Sequence, residues 1–282
     1  MIGGETRKEK EEPKSACKSA RGMVGRGLAE LARRAGGTLS IPPIIHVGGG
    51  AVSRAPEVLR SLGCKRPLVV TDAFMRSSGL LKRLTDGLEQ EGMGYAVFDG
   101  VLPDPTTDIV DAGLAASHKS GADAVLGFGG GSSIDTAKAI AVLAQHGGPM
   151  ANFKAPAQAP VGLPVIAAPT TAGTGSEVTR FAIITDTARD EKMLCMGPGM
   201  LPAAALVDHQ LTHACPYRLT MDSGLDALCH ALEAYVSRKA NAHADVYALE
   251  ALRAIPTNLR AVNGEQTRVH VLACARRAHQ PQ

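Results

Sequence analysis

The 282-residue chain has no tryptophan, and its five phenylalanines and four tyrosines make up only 3% of it. Proteins that bind single-stranded nucleic acid stack bases on aromatic side chains, and few are on offer here. Charge of one sign is also scarce: 30 Lys and Arg against 27 Asp and Glu leave a formal +3, too mild for a surface that tracks phosphates. Six cysteines, Cys17, Cys64, Cys195, Cys215, Cys229 and Cys274, are spread out with no CxxC between them, which suits reduced thiols better than a disulfide framework. No apolar run approaches the ~20 residues that span a bilayer, and the first residues carry Glu and Lys rather than a signal-peptide core. The expectation is a soluble cytoplasmic protein with no nucleic-acid partner and no membrane. Both the Walker pattern and the GxGxxG of the common dinucleotide fold are missing as well.

What is present is an ordinary globular balance, 45% hydrophobic and 20% charged, on a length that allows one large domain or two modest ones. Residues 1–38 are charged and poor in periodicity, and read as a flexible extension; Glu5, Glu9, Glu11 and Glu12 argue against a mitochondrial transit peptide. From Ile41 onward, apolar runs alternate with helical patterns. Strands are expected at Pro67–Asp72, Tyr95–Phe98, Ala124–Phe128, Pro164–Ala168 and Ala205–Asp208, with a hairpin formed by 181–185 and 191–196. Helices are expected after Leu80, over 106–119 and over 134–144. Such alternation indicates parallel βαβ units, which gather ligands at the C-terminal ends of their strands. From Ser223 the pattern is helical throughout. The predicted fold class is therefore α/β: a parallel-sheet nucleotide-binding domain over 39–212, followed by a helical domain over 213–282.

Three segments carry chemistry. The turn Gly129-Gly130-Gly131-Ser132-Ser133 stands between a strand and a helix, where glycine backbones and a helix N-terminus together make an anion cradle. Its plainer readings are a structural turn and, for Ser132 with Asp135, an N-cap pair. The segment Ala168-Pro169-Thr170-Thr171-Ala172-Gly173-Thr174-Gly175-Ser176-Glu177 also follows a strand and offers hydroxyls and backbone amides to phosphates, ribose or a carboxamide, although it could serve only as a connection. Asp226 and His230, four apart on one helix face, could converge on a divalent cation, with Leu225, Leu228, Cys229 and Leu232 around them favouring partial burial. Most such pairs are surface ion pairs.

In order along the chain, Gly127 to Lys138, Pro169 to Glu177 and Gly224 to Ser237 together resemble the iron-containing (group III) alcohol dehydrogenase family. The resemblance runs from about Ile41 to Leu259. It implies an α/β domain that binds NAD(P) and a helical domain that holds the metal, with an alcohol and its aldehyde or ketone interconverted by metal-assisted hydride transfer. By carry-over, Gly130, Gly131 and Ser132 hold the pyrophosphate, with Asp135 in the same motif. Thr170, Thr171 and Thr174 line the cofactor site, and Lys192 matches a cofactor-contacting lysine. Asp72 ends a strand where the adenosine ribose should lie, and a carboxylate there favours NAD over NADP. Asp104, in a Pro-Asp-Pro turn, is placed near the adenine or ribose, and its other reading is a turn-forming residue.

Asp226 and His230 match the first two ligands of Fe2+, or of Zn2+ in its place. The family takes two further histidines from later helices. The sequence stops before reaching them and turns basic and polar over 268–282, so the expectation is a truncated chain, with a frame shift near Cys274, an incomplete metal site and impaired catalysis. His270 and His279 have nothing in their flanks to support them as substitutes. Rival readings are a non-catalytic NAD-binding module, a metal-free reductase resembling maleylacetate reductase, and a sugar-phosphate lyase of related fold. The expected partner is a small alcohol or aldehyde, and intact relatives form homo-oligomers.

Overall fold

The computed structural model describes residues 40–262. The extension expected at 1–38, and His270 and His279, lie outside the described residues. Strands β1 (Ile44–Val47), β2 (Pro67–Val70), β3 (Ala96–Phe98), β4 (Ala124–Gly129) and β5 (Val165–Pro169) are joined by helices α1 (Ala55–Ser61), α2 (Ala73–Ser77), α3 (Lys82–Gln90), α4 (Thr107–Ser120) and α5 (Gly131–His146). A hairpin of β6 (Phe181–Asp186) and β7 (Glu191–Met196) precedes β8 (Ala204–Val207), and two longer helices follow, α6 (Tyr217–Val236) and α7 (Ala242–Arg260).

Six strands form one parallel sheet in the order β1-β8-β5-β4-β2-β3. All residues of β2, β4, β5 and β8 are buried. That explains their unbroken apolar runs: a parallel sheet is covered on both faces, so neither set of alternate side chains meets water. Alternate residues sort into two cores. Leu68, Val70 and Val125 pack under α4, α5 and the hairpin with Val110, Ile140 and Ile184. Val69, Leu126 and Phe128 face the other way, toward Leu59 of α1 and Leu84 and Leu88 of α3. A third core joins Ala227 and Ala231 of α6 to Ala251 and Ile255 of α7, and sets both against Ala205 and Val207 of β8.

Local signals explain the helix ends. Asp72 caps α2 by accepting from the Met75 amide at 2.9 Å, Thr106 caps α4, which ends on left-handed Gly121, and Asn241 caps α7 through the Ala244 amide at 3.0 Å. Helix α6 begins at Tyr217, six residues before the expected start. Its first turn exposes Tyr217 and Leu219, so that stretch carries no amphipathic pattern by which to recognise it.

The glycine turn also differs from expectation. Gly129 still belongs to β4, Gly130 is the N-cap and Gly131 is already helical. Only Gly129 takes a positive φ, 150°, so the freedom expected of three glycines is used by one. The chain leaves β2 toward β3 on one side and β4 toward β5 on the other. The C-terminal ends of β2 and β4 thus flank the switch point of the sheet, where open α/β folds bind ligands.

Candidate cofactor site

Beside the switch point the ends of β4 and β5 are tied together, the Thr170 amide donating to the Gly129 carbonyl at 2.9 Å. Beyond that tie, the threonine segment lies directly on the first turn of α5. A Cβ added to Gly131 would stand 2.8 Å from Thr174 Cγ2, and one on Gly173 would stand 2.6 Å from the Ser223 carbonyl oxygen of α6. The segment is thus held between two helices, and glycine is required on both sides for steric reasons. The first amides of α5 have no intrahelical acceptor and carry the positive end of the helix dipole.

Two cavities open on either side of this turn, and Ser132 borders both. The first, about 500 Å³, collects Gly131, Thr174, Asp104 and Asp135 from the α/β part together with Asp226, His230 and Glu233 from α6. The second, about 520 Å³, collects Asp72, Gly130, Thr170 and Thr171, with apolar walls from Phe74, Leu102 and Leu219. Thr170 is fully buried there, and its hydroxyl has no hydrogen-bond partner among the described residues. A buried hydroxyl left unpaired costs about 1–3 kcal/mol, so a polar ligand that reached it would recover that loss.

Lys192 borders neither cavity directly; its Nζ lies 2.6 Å from Asp104 Oδ1, and both side chains are exposed. Asp104 adopts φ 53°, an unusual conformation for a residue with a Cβ, and one that aspartate tolerates in turns. The pair joins the loop before α4 to the hairpin at the rim of the first cavity.

Asp135, expected to contact the cofactor, lines the first cavity and is also held by the protein itself. One oxygen accepts from Ser176 Oγ and the other from the Ile183 amide at 2.9 Å, and Lys138 Nζ stands 3.7 Å away. Both oxygens are engaged by the protein, so the carboxylate positions the cavity wall. It does not cap α5 either, because Gly130 is the N-cap and no side chain bonds there. Burial raises Asp135 above the usual carboxylate range, against the pull of Lys138 and its hydrogen bonds.

Lys138, quoted in the sequence motif but given no role there, is fully buried. Its ammonium donates to the Phe181 carbonyl at 2.7 Å, the Thr179 carbonyl at 3.2 Å and Ser176 Oγ at 3.1 Å. Desolvation lowers it to about 8, although Asp135 and Glu177 oppose that shift. One cation therefore fastens the 176–181 stretch, and with it a wall of the first cavity, onto α5. The spacing of Asp135 and Lys138, three apart on one helix, was the available signal.

His230 Nε2 lies 3.4 Å from Asp226 Oδ1, and its Nδ1 lies 4.0 Å from Glu233 Oε2. The hydrogen bond to Asp226 is the main cause of a raised His230 pKa, with burial opposing it. The apolar surroundings expected of this pair are only partly realised. Leu225 and Leu232 are about half exposed, at 49% and 52%, and Cys229 is exposed, while Gly224, Ala227, Ala231 and Ala234 make the buried side of α6. Among the described residues no group of three or more ligating side chains is placed to hold a metal ion. Asp226 and His230 supply one oxygen and one nitrogen donor, short of a complete ligand set.

Comparison with known proteins agrees with this geometry. The family model for iron-containing alcohol dehydrogenase matches residues 42–209, and the model for the C-terminal region of the Fe-containing alcohol dehydrogenase family matches residues 220–272. The chain is 41% identical to the NAD-dependent methanol dehydrogenase of Bacillus methanolicus over 229 residues, 80% of this chain and 60% of that one. It is 35% identical to the lactaldehyde reductase of Escherichia coli (strain K12) over 76% of its own length and 56% of the relative's. Among solved structures, a 1,3-propanediol oxidoreductase superposes with a TM-score of 0.83 at 34% identity, covering 86% of this chain and 64% of that one. A sulfoacetaldehyde reductase from Bifidobacterium kashiwanohense, solved in complex with NAD+, superposes with a TM-score of 0.79 at 29% identity over 86% and 65%. The chain spans about 60% of the length of the curated relatives it matches. With the glycine turn, the threonine segment and the Asp226–His230 pair assembled around one switch point, and both family models matched in order, the chain belongs to the iron-containing alcohol dehydrogenase family.

Proposed function

We propose that this chain binds NAD across the two cavities and serves the NAD-dependent interconversion of a small alcohol and its aldehyde or ketone. The observation that carries the reading is the Thr170 hydroxyl, fully buried without a partner in a cavity whose other wall is the opening turn of α5. Support comes from the relatives, one named as an NAD-dependent dehydrogenase and one solved with NAD+.

In this reading the backbone amides of Gly130, Gly131 and Ser132 would hold the pyrophosphate and the Thr170 hydroxyl would supply a hydrogen bond buried away from water. Asp72 would accept from the adenosine ribose, between the apolar walls formed by Phe74, Leu102 and Leu219. Thr171 and Thr174 would line the path between the cavities, and Asp104 with Lys192 would form the polar rim of the first. When bound, the nicotinamide supplies a hydride acceptor for the alcohol carbon. Iron, or zinc in its place, is the metal this reading would seat beside Asp226 and His230. Among the described residues its ligand set is incomplete.

Isothermal titration with NAD+, paired with an alcohol-dependent NADH assay in the presence of added Fe2+ or Zn2+, tests the reading. Saturable NAD+ binding with alcohol-dependent reduction supports it. NAD+ binding with no turnover under either metal favours the non-catalytic NAD-binding module, and absence of NAD+ binding removes the reading altogether.

A second measurement tests the cofactor preference. Asp72→Ser keeps an oxygen that can accept from the Met75 amide but removes the negative charge that repels a 2′-phosphate. The expected result is a shift of about tenfold, or ~1.4 kcal/mol, in relative affinity toward NADP+, read by titration with both cofactors. An unchanged NAD+ to NADP+ ratio would remove Asp72 from the ribose site.

A further inference from the structure

Ser176 is buried, at 4% exposure, on the wall of the first cavity and does not border the second. Its amide donates to Thr174 Oγ1 at 3.3 Å, on the stretch that leans against the opening turn of α5. Its hydroxyl donates to Asp135 Oδ1 and accepts from Lys138 Nζ at 3.1 Å. Both charged groups go on to hold β6, Lys138 by donating to the Phe181 carbonyl at 2.7 Å and Asp135 by accepting from the Ile183 amide at 2.9 Å. One small side chain thus stands at the junction of the threonine segment and the hairpin. The two backbone bonds also fix which face of β6 looks into the cavity. Side chains alternate along a strand, so Ala182 and Ile184 enter the core shared with α5, while Phe181, Ile183 and Thr185 line the cavity. Ile183 is 41% exposed there. An exposed apolar strand face, in the cavity that also holds Asp226, His230 and Glu233, suits a flat ring with one polar edge.

We propose that Ser176 is a positioning residue for the nicotinamide half of the cofactor: through Asp135 and Lys138 it sets where the face of Phe181 and Ile183 stands against the ring, and it has no part in holding the adenosine half. Without the hydroxyl, Asp135 and Lys138 lose the group that joins them, and β6 is free to shift over α5. The opening turn of α5 and the second cavity keep their own contacts, including the tie between Thr170 and Gly129. The inference rests on the reading of NAD across both cavities, with the adenosine ribose at Asp72 in the second.

The test compares NADH with ADP-ribose, which lacks only the nicotinamide ring, by calorimetric titration of the full chain and of Ser176→Ala and Asp135→Asn, each checked by a thermal melt. In Ser176→Ala the expected result is a loss of about tenfold in NADH affinity, ~1.4 kcal/mol, with ADP-ribose affinity held within about twofold. Asp135→Asn keeps the shape of the carboxylate but weakens the hydrogen bonds it accepts, so it should show the same split. The chain has no tryptophan, so the emission of bound NADH reports the surroundings of its own ring, and both variants should return it toward that of free NADH. General loosening of the fold would weaken both ligands by the same factor. Equal losses for NADH and ADP-ribose, or NADH affinity and emission unchanged in the variants, would overturn the proposal. So would wild-type protein that binds ADP-ribose and NADH equally and leaves NADH emission as it is in solution. Wild-type protein that binds neither ligand would instead overturn the cofactor reading beneath it.

Discussion

Lys138→Ala is expected to lower folding stability by about 3–5 kcal/mol, because removing one partner of a buried charge pair strands the other. The Asp135 carboxylate would lose its cation, and the Phe181 and Thr179 carbonyls would lose their ammonium donor. Urea unfolding at pH 7.5 measures the loss, and a change within 1 kcal/mol would show that the cation is dispensable. Lys138→Met gives a second readout. Burial lowers the native ammonium to about 8 from the ordinary 10.5, so as pH rises through 8 the native state gives up this proton before the unfolded state does. Stability must then rise with pH, since the unfolded state binds more protons. Above pH 9 Cys195 acts the other way: burial pushes its thiol to about 11 from 9.0, so the unfolded state releases that proton first. The rise due to Lys138 should therefore be clearest between pH 8 and 9, as the difference in urea midpoint between wild type and Lys138→Met. A flat difference across that window would contradict the assignment.

Gly131→Val is expected to weaken NAD+ binding by about 100-fold, or ~2.7 kcal/mol. The first added carbon already meets Thr174 at 2.8 Å, so the threonine segment must move off the opening turn of α5, and the amides and hydroxyls that converge there separate. A milder result is expected for Gly130→Ala, whose Cβ would meet Thr171 at 3.5 Å, an ordinary contact. Titration with NAD+ beside a thermal melt separates the cofactor effect from unfolding. Equal affinities for the two variants would mean that the closeness of Gly131 to Thr174 has no part in binding.

Much of this architecture could be read from the chain because its signals are local. Unbroken apolar runs such as Leu68-Val69-Val70 mark strands covered on both faces, and the hairpin of β6 and β7 falls on the two segments expected to form it. What could not be read depends on distant partners. Gly131 and Gly173 look like flexible turn residues in sequence, yet their necessity comes from Thr174 and Ser223, which approach only in the folded state. Lys138 with Asp135 has the spacing of an exposed helix pair, and it is the packing of residues 176–183 that buries it. Leu225 and Leu232 suggested apolar cover for the Asp226–His230 pair, but alanines and a glycine form the packed side of α6 and both leucines face away.

The pairing at one edge of the sheet has a consequence for synthesis. Among the described residues, strand β1 pairs only with β8, Ile44 opposite Ala204, a separation of 160 residues. At about 5–20 residues per second, the ribosome needs ~8–32 s to deliver that partner. Until then the emerging chain carries Ile44-Ile45-His46-Val47 as an unmatched β-forming segment. Exposure of this segment on the nascent chain should therefore persist until residues beyond 207 clear the exit tunnel.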